Sequence, residues 1–274
     1  MTMALSPVVI SRIEKVATDN GFDQGLETEG DWLVFASTQC SLRIWLAMFG
    51  DAVFLAAFSQ QNVTRALGDY GTPVSAMMPK GAAGARAVPD VPSLHRLLRR
   101  AFQLSKALPN ELLHTFEKQV ATLPKATEAE RLVVQRVGQN VFRDGLLDLW
   151  EGRCAVTGLA IPALLRASHI KPWADCETDA ERLDVYNGIL LAPHLDAGFD
   201  RGFITVADDG AIVVSEALDA SSRAVLGLDQ PLRLRGITDG HRGYLPWHRQ
   251  RVFNAQLKVI ATLASGKRDS DEGA

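Results

Sequence analysis

Cysteine is scarce in this chain. Three residues, Cys40, Cys154 and Cys176, stand far apart, which excludes a disulfide framework and fits a reducing compartment. Long apolar runs are absent too: none reaches the roughly 20 residues a membrane span needs. The opening Met-Thr-Met-Ala-Leu-Ser-Pro has no basic stretch of the kind that starts a secretory signal. These absences give the expectation of a soluble, cytoplasmic protein. Charge excess is missing as well. The net charge of −3 rules out a globally basic nucleic-acid binder, so any DNA partner must meet a local basic face. No internal repeat is present. What remains is ordinary globular composition, 47% hydrophobic and 22% charged over 274 residues, enough for one large or two modest domains.

The chemistry concentrates in residues 167–201. His169 opens the stretch in Ser-His-Ile-Lys-Pro-Trp. An acidic connection follows with Asp175, Glu177, Asp179, Glu181 and Asp184. Then come Asn187, the apolar Ile189 to Leu191, and a polar group of His194, Asp196 and Asp200. Polar residues thus bracket a short apolar hairpin and the helix after it, a layout suited to one divalent cation beside one imidazole. Histidine is the side chain whose ordinary pKa suits it to take a proton from water near neutral pH. Carboxylates are hard oxygen donors for Mg²⁺ or Mn²⁺. Asp196 and Asp200, four apart, share one helix face. An Asn between base and ligands can pin the backbone or the imidazole.

This pattern, His-Ile-Lys-Pro-Trp followed by Asn-Gly-Ile-Leu-Leu-Ala-Pro-His-Leu-Asp-Ala-Gly-Phe-Asp, resembles the HNH endonucleases of ββα-metal fold, in a restriction-endonuclease-like variant. The similarity runs from about Glu130 to Phe253 and takes in Arg153–Gly158 and Tyr244–Arg249. The resemblance implies catalytic roles for His169, as general base, and Asn187. It implies metal ligation by Asp196 and Asp200, with His194 or Ser168 assisting. Many relatives carry Asp or His directly before the base, where this chain has Ser168. Many also carry paired Cys-x-x-Cys zinc sites; Cys154 is followed by Thr157 at that spacing, so no structural zinc is expected. The implied cofactor is one Mg²⁺ or Mn²⁺ ion and the implied partner is DNA. A homodimer and a bacterial restriction or defence role are part of the same expectation. The alternative is a DNA-binding or regulatory protein with an inactive site; a third reading has the N-terminal sheet bind a protein.

Candidate phosphate contacts are Lys171, Arg153, Arg166, Arg201, Arg143 and Arg136, with Arg96, Arg99 and Arg100 further upstream. For each, a solvated surface charge is the competing reading. The fold class is α+β. A helix is expected over 7–20 and strands over 32–36, 42–49 and 52–58, with a turn at Gly50-Asp51. An irregular, mobile stretch is expected from Gly68 to Pro92. Helices follow over 93–108 and 111–123, then a long one from a Thr127–Glu130 capping sequence to Trp150. Asp208-Asp209-Gly210 signals a hairpin. Asp219–Leu226 reads as a short helix, Leu232–Leu234 as an edge strand, and 245–263 as a closing helix. The aromatics Trp32, Phe35, Trp45, Phe49, Phe54 and Phe58 are either the core of the first sheet or a base-stacking platform. The expected domains are a recognition or regulatory domain (1–123), an HNH domain (124–265) and a disordered tail (266–274).

Overall fold

The computed structural model describes residues 6–50, 53–75, 78–108, 110–124 and 126–253. The chain forms two compact units, Met1–Glu111 and Leu112–Ala274, a division that falls ahead of residue 123. The turn at Asp51, the closing helix beyond Phe253 and the tail lie outside the described residues.

The first unit opens with α1 (Pro7–Asp19). Ser6 caps it by accepting from the Val9 amide, and Pro7 occupies the first turn, where its missing N–H is not needed. A six-stranded antiparallel sheet follows: β1 (Gln24–Gly25), β2 (Leu33–Ala36), β3 (Ile44–Phe49), β4 (Val53–Phe58), then α2 (Gln61–Ala66), β5 (Thr72–Val74) and β6 (Gly84–Val88). The spatial order is β1-β2-β3-β4-β6-β5. The unit ends in α3 (Val91–Ala107), capped by Asp90 at the Ser93 amide.

Register divides the sheet into two faces. Phe35, Ile44, Phe58 and Gly84 lie opposite one another across four strands. Gly84 is needed there because a Cβ would lie 2.5 Å from Thr64 Cγ2 of α2. On the other face Val34, Trp45, Ala57 and Ala85 form a small core covered by Trp32, Val74 and Ala82. Phe35, Trp45, Phe54 and Phe58 are all buried, and only Phe49 is largely exposed. The aromatics are therefore core rather than a stacking platform. The stretch expected to be irregular supplies β5 and β6, which complete the sheet by pairing β6 with β4. Its strand residues are mostly small, so burial came from neighbours that the local sequence does not display.

In the second unit, α4 (Glu111–Val120) packs on α5 (Glu128–Leu149). Thr127 and Glu130 close the capping box at the start of α5. Two glycines of α5 make the close approach possible. A Cβ on Gly145 would meet Leu112 Cδ1 at 2.4 Å, and one on Gly138 would meet Phe116 Cε2 at 3.2 Å. Then come β7 (Arg166–His169), α6 (Asp179–Arg182), β8 (Gly188–Leu191), α7 (Pro193–Asp200), the hairpin β9 (Ile204–Val206) and β10 (Ile212–Val214), α8 (Ala220–Val225) and α9 (Asp239–His248). A π-helical turn, Arg249–Phe253, extends α9. Where an edge strand was expected at 232–234, one bridge joins Ala211 to Arg233. The last helix starts earlier than expected, at Asp239, because Thr238 and His241 cap each other. No helix among the described residues is long and apolar enough to cross a membrane.

His241 and His248 are buried in this unit at 1% exposure. Burial, reinforced by Arg242 and Arg249 respectively, lowers each to about 4. A folded pKa below the ordinary 6.5 means that the unfolded chain binds the proton first. Each histidine thus contributes stability that is complete above pH 6.5 and is lost as pH falls through 4. The loss is about 3 kcal/mol per histidine. His248→Gln should accordingly be less stable than wild type at pH 7.5, and the gap should narrow by pH 4. Thermal melts across that range measure it; a constant gap would contradict the assignment.

Candidate active site

Strands β7 and β8 pair antiparallel, with Ser168 opposite Ile189 and His169 opposite Gly188. β8 is buried along its whole length, and α7 follows it after a single residue, Ala192. Cys154 ties this junction to the start of the domain: its Sγ accepts from the amides of Thr157 and Ala192 at 3.4 and 3.3 Å.

The loop between the strands is closed from inside by Asn187, which is fully buried. Its Oδ1 accepts from the Lys171 amide at 2.8 Å, and its Nδ2 donates to the carbonyls of Lys171 and Glu181 at 3.1 and 3.2 Å. Every polar atom of the amide is used by the loop, so Asn187 holds the backbone between the strands. Arg182 makes a second tie. Its guanidinium donates to the carbonyls of Trp173 at 3.2 Å and Cys176 at 2.6 Å, and to Asp179 at 2.9 Å.

The Arg182 carbonyl in turn lies 2.9 Å from His169 Nε2. A carbonyl can only accept, so Nε2 carries the proton and the lone pair is on Nδ1. Nδ1 has no hydrogen-bond partner among the described residues. Burial holds the half-buried imidazole below its ordinary pKa, against the opposing effect of the Arg182 carbonyl. At neutral pH the ring is therefore an uncharged base in one tautomer.

On α7, Leu195 and Phe199 are buried and anchor the helix. Asp196 and Asp200 occupy an adjacent face. The Ser168 hydroxyl donates to Asp196 Oδ1, which makes Ser168 an orienter of that carboxylate. The Asp200 carboxyl is raised to about 6, first by desolvation and then by the negative charge of Asp196, with Arg201 opposing. Beneath the helix, His248 accepts at Nδ1 from Thr205 Oγ1 at 2.9 Å and donates from Nε2 to the Phe199 carbonyl at 3.0 Å. Its ring stacks on Phe199 at 3.7 Å. Ser168, His169, Trp173, Asp200, His248 and Val252 line one cleft of about 360 Å³.

His194 is exposed on the first turn of α7 and does not line this cleft. Among the described residues, no three His, Cys, Asp or Glu side chains gather into a metal-binding group. Of the two expected carboxylates, Asp200 lines the cleft and Asp196 does not; Asp196 reaches it through Ser168, which lines the cleft and donates to its Oδ1. That pair still fits a divalent ion. The two acids offer hard oxygens, with the Asp196 charge acting on Asp200 and Arg201 opposing it, and Mg²⁺ usually takes only one or two carboxylates and keeps waters or phosphate oxygens.

The basic candidates divide into two groups. Arg136, Arg153, Arg166 and Arg201 are exposed. Arg143 is occupied by the fold, donating to the Leu165 and Pro162 carbonyls at 2.7 and 2.8 Å. Lys171 is held by Glu181 at 2.7 Å, which raises its pKa. The sequence does not disclose the parts played by Arg182 at His169 and by His248 beneath α7. His248 lay in view within the Tyr244–Arg249 stretch; the part Arg182 plays at His169 runs through its backbone carbonyl and leaves no trace in residue type.

A hairpin feeding a short helix, with an aimed imidazole ending the first strand and acids on the helix, defines a ββα-metal domain. The family model of the HNH endonucleases matches residues 154–207, from Cys154 through β9. HNH nucleases generally use a divalent metal ion. No curated protein matches the chain.

Proposed function

We propose that the protein is a DNA endonuclease dependent on Mg²⁺ or Mn²⁺, of restriction or defence type. The observation that carries this reading is His169, its Nε2 held by the Arg182 carbonyl, in one cleft with Asp200. His169 Nδ1 takes a proton from a water as the water oxygen bonds to phosphorus. The bond from phosphorus to the 3′ oxygen breaks, that oxygen takes a proton from solvent water, and the products are a 5′-phosphate and a 3′-hydroxyl. Asp196 and Asp200 would hold the cation, with Ser168 orienting Asp196. When bound, the ion supplies positive charge for the phosphate and the leaving oxygen. Arg136, Arg153, Arg166 and Arg201 are exposed guanidinium groups suited to the DNA backbone; they would fix position without reading bases. The first unit, 1–111, would serve recognition or regulation.

Supercoiled plasmid incubated with Mg²⁺, with Mn²⁺ and with EDTA tests the reading. Nicking or linearisation with either ion, abolished by EDTA, is expected. Binding in a gel shift without cleavage in either ion would instead identify a DNA-binding protein with an inactive site. Unmodified, methylated and hydroxymethylated DNA, run side by side, test the restriction role; equal cleavage of all three would remove it.

A further inference from the structure

We propose that α5, which lies ahead of the family-matched segment, completes the site: Phe142, with Trp173, is a positioning residue that holds the His169 imidazole in one plane. The kinetic part of this proposal rests on the nuclease reading above.

A single hydrogen bond from Nε2 fixes one atom of the imidazole and leaves the ring free to rotate about it. Phe142 supplies the missing constraint. Its ring stacks on His169 with centroids 3.8 Å apart and planes at 14°. Trp173 closes a second side edge-on, at 5.8 Å and 90°. Both walls are seated by packing. Phe142 is 1% exposed, and its ring enters the space left by Gly188, the residue opposite His169 in the hairpin. A Cβ on Gly188 would lie 2.4 Å from Phe142 Cζ and 2.9 Å from Leu146 Cδ1. Trp173 is seated in the same way over α5: a Cβ on Gly138 would lie 2.4 Å from Trp173 Cη2. The Arg182 guanidinium lies 5.9 Å over the Trp173 ring. A glycine on β8 and a glycine on α5 thus admit the two aromatic walls, while the Arg182 carbonyl holds the Nε2 edge.

Aim matters because misplacing a catalytic group by about 1 Å costs on the order of 10²-fold in rate. Phe142→Leu removes the flat surface while nearly conserving apolar volume. Its kcat on a duplex substrate should fall about 10- to 100-fold, with KM held within about twofold. The His169 ring protons, assigned by their loss in His169→Gln, should resonate upfield in wild type, shielded by the stacked ring, and return toward free histidine in Phe142→Leu. An unchanged kcat, a loss confined to KM, or the absence of an upfield signal in wild type would overturn the proposal. A wild type that cleaves nothing yet shows the upfield signal, lost in the variant, would overturn the nuclease reading and leave the positioning role standing. Should Phe142→Leu fail to fold, Phe142→Met, which also lacks the flat ring and keeps more of its volume, takes the same two measurements.

Discussion

His169→Ala should cleave plasmid DNA about 10²- to 10⁴-fold more slowly than wild type, the range a positioned general base contributes. The expectation follows from the tautomer. With Nε2 donating to the Arg182 carbonyl, Nδ1 is the one ring nitrogen left with a lone pair. Burial lowers the pKa, so the neutral, competent form persists at and somewhat below the ordinary value of about 6.5. The wild-type rate should be level across neutral pH and decline only on the acid side, where the ring gains a proton and loses its function. Binding measured by gel shift should be unchanged, since no phosphate contact is removed. A melting curve checks that the space left beside Phe142 has not unfolded the domain. Cleavage retained by a folded His169→Ala protein would take the base role away from this residue.

The site was legible where local spacing carries the information. His169, Asp196 and Asp200 announce themselves by residue type and interval, and helical periodicity places both acids on one side of α7. The Thr127–Glu130 capping box and the turn between β9 and β10 are likewise local, because their bonds close within a few residues. What the sequence did not reveal is long-range partnership. Lys171 looks like a phosphate ligand until Glu181 is seen holding it, and Arg143 until the Pro162–Leu165 turn is seen to need its donors. β5 and β6 were missed because Gly84–Val88 becomes a strand through β4, not through its own apolar content. His241 and His248 stand beside Arg242 and Arg249 in the sequence, yet both are buried. A histidine's environment is set by what packs around it, and composition is silent on that. The aim of His169 is the furthest from view, since it rests on a main-chain carbonyl and on an aromatic ring from α5.

Asp196→Asn should lose metal-dependent cleavage by on the order of 10³-fold, corresponding to the several kcal/mol a bound cation contributes to the transition state. Ser168→Ala should weaken metal binding by about 10- to 100-fold, the usual cost of removing a group that orients a ligand, because its hydroxyl fixes the Asp196 carboxylate. Asp200 makes the pH dependence specific. Before metal binds, desolvation and the Asp196 charge raise its carboxyl to about 6, so below that pH a proton and a cation compete for the same oxygens. The midpoint of a Mn²⁺ titration without DNA should therefore stay constant above pH 7 and climb as pH falls through 6, by up to about tenfold per unit. Asp200→Asn cannot take up that proton, so its binding should be weaker and free of that climb near pH 6. Calorimetry on the three variants separates these effects. A Mn²⁺ titration of Asp196→Asn that overlays wild type would remove the acid pair from the metal site. The same overlay for Asp200→Asn, with the climb retained, would leave Asp196 and the substrate phosphate to hold the ion between them.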